Sequence, residues 1–321
     1  MQRILGRSGV AVSALGLGTA RIGGLGYSRK GDRETTLTQD AVQESKRAIR
    51  VAIDRGISLF DTADVYGAGR SERLLGEAIR GIRQKVVIST KFGELFDEDS
   101  GEEPEGTVTP EYVARACDAS LRRLGTDVID VYIFHLRDFP LARAAEIRDA
   151  LEELVSQGKI RFYGWSTDDV ERAKLFARGA HCTAIEHRLN VFTDAPEMLA
   201  LCDQEDLASI NRAPLMCGVL AGRWKPGISL PAADRRSDWF RDKDFLEVLE
   251  RAESLRPILT REGRSFVQGA LAWILARSPR ALPIPGFRTV AQVEELADSL
   301  QAGAMPEKDF EAVVTHLKAA R

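Results

Sequence analysis

Few of the residue types that build metal centres or covalent cross-links occur in this chain. It has 4 cysteines and 4 histidines among 321 residues. The cysteines show no C-x-x-C spacing and no nearby pair of histidines: Cys117, Cys182, Cys202 and Cys217. The sequence therefore predicts no zinc site and no disulfide framework, but reduced, mostly buried thiols.

Long apolar stretches and a strong charge of one sign are absent as well. No segment approaches the length needed to cross a bilayer, and residues 1–6 do not begin a secretory signal. The formal net charge of -3 gives no bulk attraction to nucleic acid or anionic membranes. We expect a cytoplasmic protein that binds neither nucleic acid nor membranes. The sequence leaves its oligomeric state open.

The glycine fingerprint of a Rossmann domain is also missing. An open, doubly wound sheet normally places G-x-G-x-x-G between its first strand and its first helix. Here Gly16 and Gly18 are followed by Gly23 and Gly24 at the wrong spacing, and the next helical pattern begins only near Gln39. The open sheet is therefore the less favoured of two α/β architectures.

Short apolar runs alternate with longer amphipathic ones along the chain, which is typical of βαβ units. With 44% hydrophobic residues, the chain has enough apolar side chains for a sizeable core. Because eight strands close a barrel, we predict one (β/α)8 TIM-barrel domain over residues 1–321, with extra loops and C-terminal helices. The predicted strands are residues 14–18, 58–61, 86–91, 129–135, 160–166, 183–187, 208–212 and 281–285.

Helix signals occur between these strands. Thr109 followed by Pro110 predicts a helix start, and the helix then runs to Gly125. A helix over 141–157 stops before Gly158, and start signals recur at 194–196 and 289. Two polar stretches, 94–108 and 222–242, are predicted to lie over the mouth of the barrel, where insertions usually occur.

Titratable residues follow three consecutive predicted strands. Asp61 ends the second strand, with Tyr66 in the loop beyond it. Lys91 ends the third strand and His135 the fourth. Taken singly, each has an ordinary structural explanation, but the carboxyl ends of barrel strands meet at one mouth, so we expect the four side chains to converge there.

These four side chains suit the reduction of a carbonyl group. Tyr66 would donate a proton to the carbonyl oxygen as hydride reaches the carbon, and Lys91 would lower the pKa of Tyr66. A fall of two units requires about 2.7 kcal/mol, which a close, poorly hydrated ammonium supplies. Asp61 would pair with Lys91 and orient it, and His135 would hold the developing oxyanion.

The segments F-D-T-A-D-V-Y-G (60–67), S-T-K-F-G (89–93) and Y-I-F-H (132–135) resemble the catalytic motifs of the aldo-keto reductase superfamily. The likeness extends over nearly the whole chain. It implies a (β/α)8 barrel that binds NADPH without a Rossmann domain, with Asp61, Tyr66, Lys91 and His135 as its catalytic tetrad. The implied reaction is the NADPH-dependent reduction of an aldehyde or ketone to an alcohol.

The same resemblance implies a nicotinamide site with several departures from the family pattern. Ser166 and Thr167 stand where the family holds the carboxamide with Ser and Asn, and Glu186 stands where Gln is common. A carboxylate only accepts hydrogen bonds. Arg212 replaces an aromatic residue that often stacks on nicotinamide, and Leu296 replaces a frequent Asn.

The remainder of the implied cofactor site lies in the loops after the last two strands. The loop after Arg212 resembles the one that follows the pyrophosphate, and the segment after the eighth strand resembles the adenosine end. There Arg288 would bind a 2′-phosphate, while Gln292 and Glu295 would reach adenine. The full set of implied cofactor residues is Gly18, Thr19, Ser166, Thr167, Glu186, Arg212, Pro214, Leu215, Gly218, Gly222, Arg223, Gly286, Arg288, Gln292 and Glu295.

Two other functions stay open. Potassium-channel β subunits share this barrel and bind NADPH, so a regulatory subunit is one alternative, although no long extension precedes the predicted barrel here. A barrel lyase or isomerase would use Lys91 as an amine nucleophile and Arg288 to hold phosphate. Pairing of Lys91 with Asp61 would keep the amine protonated and speaks against that second alternative.

The substrate is a small carbonyl compound whose identity the sequence does not give. We expect its pocket to include Arg21, Phe92, Arg137, Trp165 and residues 222–242. Phe92 and Trp165 would form apolar walls, while Arg137 and Arg212 suit an anionic or sugar-like compound.

Overall fold

The computed structural model describes residues 1–22, 38–98, 106–224, 238–239 and 242–319. Two short antiparallel strands, β1 (Gln2–Ile4) and β2 (Ala11–Ser13), come first. Eight parallel strands then pair in chain order. They are β3 (Leu17–Gly18), β4 (Leu59–Asp61), β5 (Val87–Phe92), β6 (Ile129–Phe134), β7 (Ile160–Ser166), β8 (Cys182–Arg188), β9 (Ala208–Arg212) and β10 (Ala281–Pro283).

The first and last parallel strands meet and nearly close the barrel. The N–H groups of Gly16 and Gly18 donate to the carbonyl oxygens of Pro283 and Pro285, both at 3.0 Å. A Cβ on Gly18 would lie 3.0 Å from the carbonyl oxygen of Ile284, so a larger residue would crowd this junction. The predicted (β/α)8 barrel is confirmed, and the open sheet is wrong.

Helices surround the strands on the outside. Within the described residues they are α1 (Gln39–Asp54), α2 (Arg70–Ala78), α3 (Pro110–Leu124), α4 (Leu141–Ser156), α5 (Val170–Ala177), α6 (Pro196–Gln204), α7 (Lys243–Leu259), α8 (Phe266–Arg277), α9 (Val290–Ala302) and α10 (Glu307–Ala319). The predicted signals at α3 are confirmed: Thr109 accepts a hydrogen bond from the N–H of Tyr112, and Gly125 has φ 64°. Thr289 caps α9 in the same way, through the N–H of Gln292.

The β1–β2 hairpin was not predicted, because its strands have only three residues each. It contributes Leu5 and Val12 to an apolar cluster with inward residues of the barrel strands, such as Leu59, Val131 and Ile210. A Cβ on Gly6 would lie 2.2 Å from the carbonyl oxygen of Thr183, so the hairpin fits tightly here. The interior of the barrel is therefore a packed core below the site.

Candidate functional site

The period of two along each strand builds the site directly above this core. Asp61 follows Leu59 by two residues, His135 follows Ile133, and Glu186 follows Ala184. Since alternate residues of a strand share one face, these polar side chains point inward where the apolar layer ends. Lys91 lies four residues after Val87 on the same face.

The ammonium of Lys91 is fully buried and surrounded by oxygen atoms. It forms a close ion pair with Asp61 Oδ2 and donates to the carbonyl oxygen of Thr62 at 2.9 Å. Its Nζ also lies 3.4 Å from Tyr66 Oη and 3.5 Å from Glu186 Oε2. The predicted convergence of Asp61, Tyr66 and Lys91 is therefore present in the structure, and Glu186 is a second carboxylate beside Lys91.

The charges in this cluster depend on one another. Burial opposes the charge on Lys91, but Asp61 and Glu186 outweigh that effect and raise the pKa of the ammonium. Burial raises the pKa of Asp61 to about 7; Lys91 acts against this rise and Glu186 adds to it. Lys91 therefore stays protonated at neutral pH.

The expected fall in the pKa of Tyr66 is wrong. Burial raises the pKa of this phenol to about 12; Lys91 lowers it, but Asp61 and Glu186 raise it again. The sequence predicted that Lys91 lies close to Tyr66, but it showed neither that the Tyr66 hydroxyl is buried nor that Glu186 is a second carboxylate beside Lys91. At neutral pH the tyrosine carries its proton, which is the form that a general acid requires.

His135 lies beside Tyr66 with its ring nearly perpendicular, at a centroid distance of 6.0 Å. Burial and then the positive charges of Lys91, Arg137 and Arg212 hold the pKa of His135 well below its usual value. Its Nδ1 makes no hydrogen bond to any residue that the structure describes, and Glu94 Oε1 lies 3.5 Å away. A neutral imidazole at this position has a ring N–H to offer an oxygen atom in the cleft.

A cleft of about 380 Å³ opens above these side chains. It is lined by most of the predicted site residues, namely Gly18, Arg21, Asp61, Tyr66, His135, Arg137, Glu186, Arg212, Pro214, Leu215, Gly218, Arg223, Gly286, Arg288 and Gln292. Lys91 lies behind Tyr66 and not on the wall. The described residues that line the cleft thus join the cluster around Lys91 to the loops after β9 and β10.

Several predicted cofactor residues lie behind the wall. Thr19 donates its hydroxyl to the carbonyl oxygen of Asp61 at 3.0 Å, and Ser166 donates to Glu186 Oε1 at 3.3 Å. Thr167 is buried and accepts from the N–H of Asp169. Glu295 accepts from Ser265 at 2.7 Å, and Gly222 faces Arg256. These contacts support the residues of the wall from behind.

The loop after β9 turns repeatedly through left-handed backbone conformations. Met216, Cys217 and Gly218 have φ values of 44°, 54° and 100° in succession, and Ala213 has 51°. Such conformations are sparsely populated by non-glycine residues and are often found at binding loops. Turns of this kind present backbone N–H groups to anions.

Gly286 also lines the cleft, and an added Cβ there would make an ordinary van der Waals contact with Arg21 Cγ at 3.6 Å. Arg288 and Gln292 follow it on the wall, and Gln292 Oε1 accepts from the N–H of Arg288 at 2.8 Å. A cleft that is lined by several arginines and by a strained loop fits a dinucleotide, whose middle is anionic.

The prediction that Phe92 and Trp165 form walls of the substrate pocket is wrong. Both side chains are fully buried, and each is adjacent in sequence to an inward residue, so each faces outward. Phe92 stacks on Tyr132 at 4.4 Å, and Trp165 packs on Phe176 at 4.6 Å. The predicted wall segment 222–242 lies largely outside the described residues, as does part of 94–108.

One residue of the site, Ser89, was missed by sequence reasoning. Ser89 donates to Asp61 Oδ1 at 2.9 Å, and its position two residues before Lys91 on the same strand face was a usable signal. Trp224 belongs to the segment 222–242 that was expected to line the pocket, although it was not named singly. It lines the cleft and donates its indole N–H to the carbonyl oxygen of Cys217 at 3.0 Å.

Other candidate sites contribute little. Cys117, Cys182 and Cys202 are buried free thiols, and Cys217 is half-buried. In the described part of the chain, no three His, Cys, Asp or Glu side chains are grouped to hold a metal ion. Nor does any described helix combine the length and apolarity needed to span a membrane.

Comparison with known proteins agrees with this geometry. A model of the aldo/keto reductase family matches residues 14–318. An NADH-specific methylglyoxal reductase of Escherichia coli is 30% identical over 303 residues, covering 91% of this chain and 90% of that protein. An aldo-keto reductase of Schizosaccharomyces pombe named for NADP(+) is 30% identical, covering 87% and 83%.

Solved structures show the same architecture. A glycerol dehydrogenase of Gluconobacter oxydans superimposes with a TM-score of 0.83 at 26% identity, covering 99% of this chain and 95% of that one. An aldo-keto reductase of Klebsiella pneumoniae in complex with NADPH gives 0.71 at 28% identity, covering 98% and 95%.

Proposed function

Because this chain belongs to the aldo/keto reductase family, we propose that it reduces an aldehyde or ketone to an alcohol with NADPH, and that Tyr66 donates the proton. One observation carries the proposal: Tyr66, Lys91, Asp61 and His135 meet at the base of the cleft that joins the loops after β9 and β10. A nicotinamide nucleotide, when bound, supplies the hydride.

Each of the four side chains has its own role in the reaction. The protonated Tyr66 donates its hydrogen to the carbonyl oxygen, and the neutral His135 donates a hydrogen bond to the same oxygen as charge develops. Lys91 stabilises the phenolate that Tyr66 becomes. Asp61, held by the hydroxyl of Ser89, fixes the position of Lys91. The burial of the cluster excludes water, which strengthens each of these interactions.

The choice of NADPH rests on Arg288 and Gln292 at the end of the cleft, where a guanidinium suits a 2′-phosphate. Relatives of both kinds are known, since one is named for NADH and another for NADP(+). Gly286 leaves room for close approach of a ligand to the backbone.

The competing lyase chemistry finds less support. A nucleophilic amine has to lose its proton, whereas Asp61 and Glu186 raise the pKa of Lys91. The regulatory alternative shares the site and differs in outcome: it requires tight NADPH binding without turnover and a stable protein partner. A cytoplasmic location remains a prediction from the sequence.

The test is a fluorescence titration with NADPH and NADH, followed by a panel of aldehydes and ketones with the preferred nucleotide. We expect saturable binding, tighter for NADPH, and nucleotide oxidation with at least one carbonyl class. Binding without turnover on a broad panel, together with recovery of a protein partner, would replace the reductase proposal with the regulatory one.

A further inference from the structure

The ammonium of Lys91 has more acceptors than hydrogen atoms. It carries three N–H bonds, and four oxygen atoms surround it. Asp61 Oδ2 and the carbonyl oxygen of Thr62 make the short contacts. The remaining hydrogen forms a long hydrogen bond to Tyr66 Oη at 3.4 Å, and Glu186 Oε2 lies almost as close to Nζ, at 3.5 Å.

Glu186 is fixed in this position. Its side chain is 3% exposed, and its Oε1 accepts from the hydroxyl of Ser166 at 3.3 Å. Its Oε2 is buried and accepts no hydrogen bond from the residues that the structure describes. A buried carboxylate oxygen without a donor is costly, so it attracts the neighbouring ammonium. As a charged acceptor it competes more strongly for the remaining hydrogen than a neutral phenol does.

We propose that Glu186 is a positioning residue that competes with Tyr66 for the third hydrogen of the Lys91 ammonium. The inference rests on the proposed function for its catalytic meaning: Glu186 keeps Tyr66 in the protonated form that reduction needs. The direction agrees with the influences on the pKa of Tyr66, which burial raises, Lys91 lowers, and Asp61 and Glu186 raise further.

Several charged and titratable groups lie around Tyr66, and Glu186→Gln removes one charge with little change of size or shape while the Asp61–Lys91 ion pair is kept. The others are Asp61 on β4, Lys91 on β5, His135 after β6, and Arg212 at the end of β9, whose charge interacts with Glu186 and His135. Glu94 lies on the far side of His135. Replacement by glutamine removes one negative charge and leaves the third hydrogen of Lys91 to Tyr66.

The experiment is a pH titration of tyrosinate absorbance in wild-type protein and in Glu186→Gln. Subtracting the same titration of Tyr66→Phe in each background isolates Tyr66. A rapid pH jump records the absorbance before alkaline unfolding. We expect the Tyr66 midpoint about one pH unit lower in Glu186→Gln, because a neighbouring like charge is lost. The alkaline limb of kcat for carbonyl reduction should move by the same amount.

Glu94→Gln is the matched control. It also removes a carboxylate, but that carboxylate lies 3.5 Å from His135 Nδ1 and not beside Lys91. Its Tyr66 midpoint should stay at the wild-type value. An unchanged or higher midpoint in Glu186→Gln, or an equal shift in Glu94→Gln, overturns the inference. If the midpoint falls as expected but no carbonyl is reduced, the inference stands and the proposed function fails; if reduction occurs without the shift, only the inference fails.

Discussion

At the scale of single residues, the sequence located the four side chains of the proposed catalytic cluster but not their ionisation. Asp61, Lys91 and His135 were recognisable because each ends an apolar strand. The upward shift of the Tyr66 pKa could not be predicted, because it depends on burial and on Glu186. The position of Glu186 beside Lys91 follows from the pairing of β5, β6, β7 and β8. Phe92 and Trp165 were wrongly predicted to line the pocket. Each is next in sequence to an inward residue, Lys91 or Ser166, so the alternation of faces along a strand already indicated that they point outward.

A second buried histidine, His187, makes stability depend on pH. Its Nε2 lies 2.7 Å from Ser209 Oγ, and burial lowers its pKa to about 4. The unfolded chain binds a proton at this side chain below about pH 6.5, whereas the folded protein binds it only near pH 4. Its contribution to stability is therefore full above pH 6.5 and declines as the pH falls towards 4.

From the His187 shift we expect wild type to lose about 2 kcal/mol of unfolding free energy, relative to His187→Gln, between pH 6.5 and pH 5. Urea unfolding at both pH values measures the difference. Comparison with the variant is needed because His135 acts in the same direction and Asp61 in the opposite one. Parallel losses in the two proteins would show that His187 is not the titrating group.

At the scale of elements, the strand order and the cap signals were readable from the sequence, whereas the close fit between neighbours was not. The alternation of apolar and amphipathic runs predicted the barrel, and Thr109 and Gly125 marked both ends of α3. The β1–β2 hairpin escaped because strands of three residues carry no periodicity. Its packing depends on contacts with residues far along the chain, such as Gly6 with Thr183.

Gly164 tests this close fit between strands. An added Cβ would lie 2.1 Å from the carbonyl oxygen of Ala184 on β8 and 2.9 Å from Ile133 Cδ1. We expect Gly164→Ala to lower the free energy of unfolding by about 3 kcal/mol, because the strands have to separate. Gly158→Ala, with φ 72° and no atom within 4 Å, should cost only about 1 kcal/mol of backbone strain. Equal losses in chemical denaturation would contradict the β7–β8 packing.

At the scale of the whole molecule, local and net charge have opposite signs. The chain carries a net charge of -3, yet arginines outnumber carboxylates on the described wall of the cleft. These arginines are Arg21, Arg137, Arg212, Arg223 and Arg288, against Asp61 and Glu186. A cleft lined in this way concentrates anionic ligands in spite of the overall charge.

The salt dependence of nucleotide binding checks this charge distribution. We expect the Kd for NADPH to rise at least about threefold between roughly 50 and 300 mM NaCl, because salt screens the arginines. The rise should be smaller for NADH, which lacks the 2′-phosphate, and Arg288→Met should make the two nucleotides alike. A Kd for NADPH that is independent of salt would argue against electrostatic binding in this cleft.

The central claim is that Tyr66 donates the proton in a nucleotide-dependent carbonyl reduction, and Tyr66→Phe tests it most directly by removing one oxygen atom. With a carbonyl that the wild type reduces, we predict a fall in kcat of about 100-fold or more, since general acid catalysis is lost. The Kd for NADPH, measured by fluorescence on the same protein, should stay within about twofold because the substitution removes only a hydroxyl and leaves the arginines that line the cleft in place. Turnover by Tyr66→Phe at the wild-type rate would contradict the assignment.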